Sequence, residues 1–270
     1  MVKIGDVWDS TTDVLAGRAG LLASIAALAF VLPSVVQTGF RLVGGTSPGA
    51  ALLSALIGLA VLVAAIWGQL AVIAVASDPA TTQRDAGRQA GARLPAALLV
   101  VLVIGAGALL LAMPIGIALG ASGYDFAAAS AAASPDAMPP MAPGAARFTF
   151  LYALALAAFF LWLSARLVLL NAVILNEGRK VGAIGCSLAL TRGLTLKLIA
   201  VTLLFGLVYG VALLAARSVV GITARLIFGS EGTGAALFVA SIAGAALFAA
   251  YLVVLGVFAA RLYAAVTRAP

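Results

Sequence analysis

Long uncharged intervals separate the charged residues of this chain, and that spacing limits the fold more than any motif does. No charge falls between Arg18 and Arg41, between Arg41 and Asp78, or between Arg93 and Asp125. Later intervals run from Arg147 to Arg166, Arg166 to Glu177, Lys197 to Arg217 and Glu231 to Arg261. A helix needs about 20 apolar residues to cross bilayer hydrocarbon, and most of these intervals supply them. A length of 270 residues would otherwise suggest one or two soluble domains. Composition excludes that. The chain is 64% hydrophobic and 9% charged, its mean hydropathy is +1.20, and soluble domains are about 25% charged. The expected fold is all-α: a polytopic integral membrane protein with about six transmembrane helices and interfacial helical elbows, forming one domain over 1–270.

Residues 1–20 place Ile4, Val7, Trp8, Val14 and Leu15 at helical spacing, with Asp6, Asp9 and Asp13 between them. This pattern predicts a helix lying on the membrane surface, with the Trp8 indole at the interface. The predicted spans are 21–43, 50–76, 95–119, 148–176, 198–216 and 235–260. Pro33 should kink the first of them. Two polar elbows, 77–94 and 177–197, lie on the same side of the membrane. The Ala-, Pro- and Ser-rich segment 121–147 reads as an extracytoplasmic loop, and a short loop with Arg217, Arg225 and Glu231 precedes the last span.

The residue inventory removes several chemistries. The chain has no histidine and one cysteine, Cys186. No intrachain disulfide is possible, and neither a metal site built on imidazole or thiolate nor a histidine-based triad can form. Gly45-Thr46-Ser47-Pro48-Gly49 matches a nucleophile-elbow pattern, but that motif needs a strand-to-helix turn and a partner base. Between two apolar helices it reads as a turn. No Gly-rich phosphate loop with lysine is present. None of the nine acidic residues falls in the middle of an apolar run, where proton-coupled transporters place one. The expectation is a non-enzymatic protein without cofactor or metal.

Basic residues fix the orientation. With both termini cytoplasmic, twelve of the sixteen Lys and Arg residues lie inside, and Arg41, Arg147, Arg217 and Arg225 lie outside. The basic excess thus serves topology and anionic headgroups rather than nucleic acid. A shift of 99 positions superposes the two elbows: Ser77-Asp78-Pro79 falls on Asn176-Glu177-Gly178, and Arg93 on Arg192. Duplication about an axis along the membrane normal, or merely shared helix–elbow–helix physics, accounts for this.

The second elbow carries a further pattern. Trp162-Leu-Ser-Ala-Arg166 is followed by Asn171, Asn176-Glu177-Gly178, Ser187, Leu190-Thr191-Arg192-Gly193 and Lys197. Over residues 162–206 the chain resembles the membrane-domain family found beside glycerophosphodiester phosphodiesterases and in related stand-alone inner-membrane proteins. Arg166, Glu177, Ser187, Leu190, Thr191 and Gly193 fall on that family's pattern, while Cys186 and Leu188 replace its Arg and Trp. The resemblance implies a bacterial-type inner-membrane location. It implies no hydrolytic activity, because the 270 residues contain no phosphodiesterase catalytic domain.

Arg166 stands ten residues before Asn176, roughly 15 Å along a helix. A charge at that depth costs about 2.5 kcal/mol or more unless it is partnered. Either it anchors a lipid phosphate or carboxylate, or its helix projects into the cytoplasm and the side chain snorkels. Arg84, Arg88, Arg93, Arg179, Lys180, Arg192 and Lys197 either grip lipid phosphates or only enforce orientation. Gln69 and Asn171 read as interhelical hydrogen-bonding residues. Gly116-x-x-x-Gly120 and Gly206-x-x-x-Gly210 read as packing within one protomer. The functional expectation is a protein that binds or helps move phospholipid-like amphiphiles. Alternatives are a small-solute transporter or channel, and a structural subunit with a homo-oligomeric or membrane-protein partner.

Overall fold

The structure, a computed structural model, describes residues 3–43, 45, 47–131, 137–228 and 233–268. Gly44 and Thr46 of the first turn, residues 132–136 of the long loop, the Arg225 side chain and Glu231 lie outside the described residues. All regular structure among the described residues is helical, and six stretches are long and apolar enough to span a membrane. The chain is therefore an all-α polytopic membrane protein.

Helix α1 (Ile4–Gly17) leads into α2 (Ala19–Val43), whose middle, Ala27–Val31, is a π-helical turn. Pro33 lies just beyond that turn. Proline lacks the N–H that would bond four residues back and its ring crowds that carbonyl; a widened turn there is a common accommodation. Helix α3 (Pro48–Ser77) starts where Ser47 accepts a hydrogen bond from the Ala50 N–H at 3.2 Å. Ser47 of the nucleophile-like motif is thus an N-cap, with Pro48 in the first turn.

Helix α4 (Gln83–Ala121) is continuous through Pro95 and Pro114. Thr82 caps it, accepting from the Asp85 N–H and donating to the Asp85 carboxylate at 2.6 Å. Its 39 residues extend about 58 Å, so the first turns stand outside the hydrocarbon. Within the first elbow only Asp78–Thr82 is non-helical, and 83–94 forms the first turns of α4. Helix α5 (Phe126–Ala131) occupies part of the long loop. The fourth span is broken into α6 (Pro143–Arg166) and α7 (Leu170–Glu177). Helix α8 (Gly182–Leu190) completes the second elbow, and α9 (Thr195–Phe228) and α10 (Thr233–Arg268) form the last hairpin. The two elbows therefore differ in build, despite their aligned residues.

Packing is concentrated at the elbow end. Leu70–Ala76 of α3 are buried on every side, the mark of a helix surrounded by others. Around them lie Leu22, Ile25, Ala29 and Phe30 of α2, Ala86 and Ala90 of α4, Ala172–Leu175 of α7, and Val253 and Val257 of α10. Gly68 and Gly256 permit close helix–helix approaches. A Cβ at Gly68 would collide with Ala29 and meet Phe30 at 2.9 Å, and one at Gly256 would meet Val72 at 2.9 Å and Gln69 at 3.0 Å. Nothing lies within 4 Å of such an atom at Gly116, Gly120, Gly206 or Gly210. The Gly-x-x-x-Gly pairs therefore do not pack within the protomer, contrary to the sequence reading. Away from the elbows the helices expose Leu52, Leu56, Leu102, Leu109, Phe150 and Leu207, as hydrocarbon-facing surfaces do.

Candidate functional site

The second elbow is organised by the break in the fourth span. After Leu167 the chain tightens, with the Leu170 N–H bonding the Leu167 carbonyl at 2.9 Å. The Arg166 carbonyl loses its helical partner, and α8 supplies a replacement. Ser187 Oγ donates to it at 2.9 Å; Thr191 Oγ1 stands 3.2 Å from it but has its shorter bond, 2.8 Å, to the Ser187 carbonyl, and both residues are fully buried. The Arg166 side chain donates through Nη1 to Thr195 Oγ1 at 3.2 Å and stands 5.9 Å from the Trp162 ring centroid, a weak cation–π distance. Its Nε is buried without a partner among the described residues. Thr195 is the first residue of α9, so Arg166 lies at the level where a span begins. It is part-buried and held within the elbow by these contacts.

Other arginines cover helix C-termini, whose last carbonyls lack intrahelical partners and carry partial negative charge. Arg18 donates to the Val75 carbonyl at 2.9 Å, to that of Asp78 at 3.1 Å, and also to that of Pro79. Arg261 reaches the Ala76 carbonyl at 3.5 Å. Arg93 packs its guanidinium on Gly178, which ends α7 in the left-handed conformation (φ 67°). Sequence reasoning missed Arg18 and Arg261, whose targets lie 57 to 185 positions away. These bonds also bring both chain ends and both elbows to one end of the bundle.

Glu177 anchors a small polar group. It pairs with Arg179 at 2.6 Å and accepts from the Tyr263 hydroxyl at 3.0 Å. Cys186 Sγ is 3.6 Å from one carboxylate oxygen and 3.7 Å from the other. Burial first, then the Glu177 charge and hydrogen bond, push the Cys186 thiol above its ordinary pKa, while Arg179 acts in the opposite direction. Arg84, Arg88, Lys180, Arg192 and Lys197 are exposed at the elbow end. Gln69 donates to the Leu252 carbonyl at 2.9 Å, an interhelical bond as expected. Asn171 makes no hydrogen bond to any described residue.

The opposite half of the bundle holds a cavity of about 820 Å³ between α2, α9 and α10. Among its lining residues, Tyr209, Leu213, Gly244, Ala245 and Phe248 lie nearer the elbow end along α9 and α10, and Arg217, Ser218 and Ser241 lie farther from it. Below it the packing closes. Phe205 meets Phe258 edge-on at 5.5 Å and Trp8 at 5.7 Å, and Phe30 and Ala249 are buried. The volume lies within the range of about 300–1,000 Å³ typical of small-ligand sites, and the lining mixes apolar side chains with Ser34, Thr38, Tyr209, Arg217, Ser218 and Ser241. The sequence reading did not single this region out. Hydroxyls at Ser34 and Thr38, one turn apart, and an arginine on the arginine-poor side were the available signals.

No family model, curated protein or solved structure matches the chain.

Proposed function

We propose that this protein is a non-enzymatic, bilayer-resident binder of phospholipid-like amphiphiles, seated in a bacterial-type inner membrane with both termini and both elbows cytoplasmic. The cavity between α2, α9 and α10 carries the reading. Its part nearer the elbows, with Tyr209, Leu213 and Phe248, suits an acyl chain, and its basic, hydroxyl-bearing part around Arg217 suits a headgroup. The twelve-to-four distribution of basic residues supports the orientation. Exposed Arg84, Arg88, Lys180, Arg192 and Lys197 suit contact with inner-leaflet phosphates. The likeness of residues 162–206 to the phosphodiesterase-associated membrane domains points to the same class of membrane.

Native mass spectrometry of the detergent-extracted protein tests this reading. The wild type retains a phospholipid, and Gly244→Phe, which projects a ring into the cavity, loses it while staying monodisperse. A wild type that never carries lipid, including after incubation with phospholipid vesicles, removes the reading.

One observation favours a second reading, that of an assembly subunit. Gly116, Gly120, Gly206 and Gly210 present open backbone on which another helix can pack closely. Cross-linking in membranes through cysteines placed at 113 and 207 separates a homo-oligomer from a monomer.

A further inference from the structure

We propose that the cavity selects its lipid by headgroup: a phosphodiester whose phosphate sits on Arg217 and whose terminal group carries hydrogen-bond donors, taken from the leaflet opposite the elbows. This inference rests on the amphiphile-binding reading and adds the chemistry of the ligand.

Depth comes first. Arg217 lies 22 residues beyond Thr195 on one unbroken helix, about 33 Å at 1.5 Å per residue. The hydrocarbon is about 30 Å thick, so the guanidinium reaches the headgroup layer opposite the elbows. No carboxylate lines the cavity among the described residues, and Arg217 makes no ion pair with any of them. Its fork of donors matches phosphate oxygens.

The hydroxyls define the other half of the headgroup. Ser34 donates to the Phe30 carbonyl at 2.6 Å, Thr38 to the Ser34 carbonyl at 2.9 Å, and Ser241 to the Phe238 carbonyl at 2.7 Å. Unlike Ser218 and Tyr209 of the lining, which make no such bond among the described residues, each of these three hydroxyls has spent its proton on its own helix and offers only lone pairs. Such oxygens accept from glycerol hydroxyls or an ammonium group and gain nothing from a trimethylated choline. Below them, Phe30 and the Phe205–Phe258 pair close the floor, so the chain inserts from this side alone.

The test exposes purified, delipidated protein to vesicles of phosphatidylglycerol or of phosphatidylcholine, matched in acyl chains, and counts retained lipid by native mass spectrometry. Phosphatidylglycerol is expected to exceed phosphatidylcholine about tenfold, a difference typical of a few hydrogen bonds. Arg217→Gln lowers phosphatidylglycerol retention about tenfold, and Arg217→Lys restores part of it. Gly221→Leu, placed at a lining position with open space around it, blocks both lipids. Equal retention of the two lipids, or indifference to Arg217→Gln, overturns the headgroup assignment while leaving amphiphile binding intact. Absence of lipid on the wild type removes amphiphile binding itself. Displacement of bound lipid by millimolar inorganic phosphate overturns the lipid source in favour of free phosphate.

Discussion

The Ser187 hydroxyl donates to the backbone carbonyl of Arg166 across 2.9 Å, tying the second elbow to the point where the fourth span breaks. Thr191, one turn further along, stands 3.2 Å from the same oxygen while donating to the Ser187 carbonyl at 2.8 Å. A buried carbonyl released by a helix break needs a replacement donor, and Ser187 supplies it with Thr191 within reach.

Ser187→Ala leaves the Thr191 hydroxyl within 3.2 Å of the carbonyl, able to turn to it from the Ser187 carbonyl, so the change costs about 1 kcal/mol. The double variant Ser187→Ala/Thr191→Val strands the carbonyl and costs about 2–4 kcal/mol, more than the two single changes together. Thermal unfolding in detergent measures both. Strict additivity of small effects shows that the carbonyl has another partner.

Gly178 stands at φ 67° under the Arg93 guanidinium, with the place of a Cβ only 2.8 Å from Arg93 Cζ. Gly178→Ala therefore combines a left-handed backbone penalty of about 1–2 kcal/mol with a collision. Adding Arg93→Ala relieves the collision only, so the double variant is more stable than the sum of the single losses. Melting temperatures of the four proteins check it.

The Cys186 thiol is held above its ordinary pKa by burial and by Glu177. A raised thiol pKa means less thiolate at a given pH, and thiolate is the reactive form. Maleimide labelling at pH 8 is therefore slower than for an unhindered cysteine and rises as pH increases. Glu177→Gln removes the neighbouring negative charge, lowers the pKa and speeds labelling at the same pH. An unchanged or slower rate in Glu177→Gln contradicts the arrangement.

The glycines divide into two groups. Gly68→Leu or Gly256→Leu forces helices apart where a Cβ already meets neighbours at or below 3.0 Å, and costs about 3 kcal/mol or more. Gly116→Leu and Gly206→Leu meet nothing within 4 Å and change protomer stability by about 0.5 kcal/mol or less. Size-exclusion profiles and melting curves distinguish the groups.

The number of spans and the clustering of elbows at one end were legible in the sequence, because intervals between charges report directly on hydrocarbon thickness. The break at Leu167–Leu169 was not legible. Those residues are as apolar as their neighbours and include no Gly or Pro, so only the buried donors of α8 explain it. Arg166 was picked out as a polar residue within a span, but its depth depended on that break. Arg93 was grouped with Arg84 and Arg88 as gripping lipid phosphates or only enforcing orientation; it covers the end of α7, and Arg84 and Arg88 on the same helix are exposed. The cavity was hidden for a different reason. Ser34, Tyr209 and Ser241 are each unremarkable in an apolar helix, and only the meeting of α2, α9 and α10 gives them a common ligand space.

The most direct measurement is an electron cryomicroscopy reconstruction of the protein in nanodiscs containing phosphatidylglycerol. An elongated density is expected between α2, α9 and α10, its head against Arg217 and its tail along Tyr209 and Phe248. A well-resolved bundle in which those helices close on one another, or in which the space between them holds no lipid density, contradicts it.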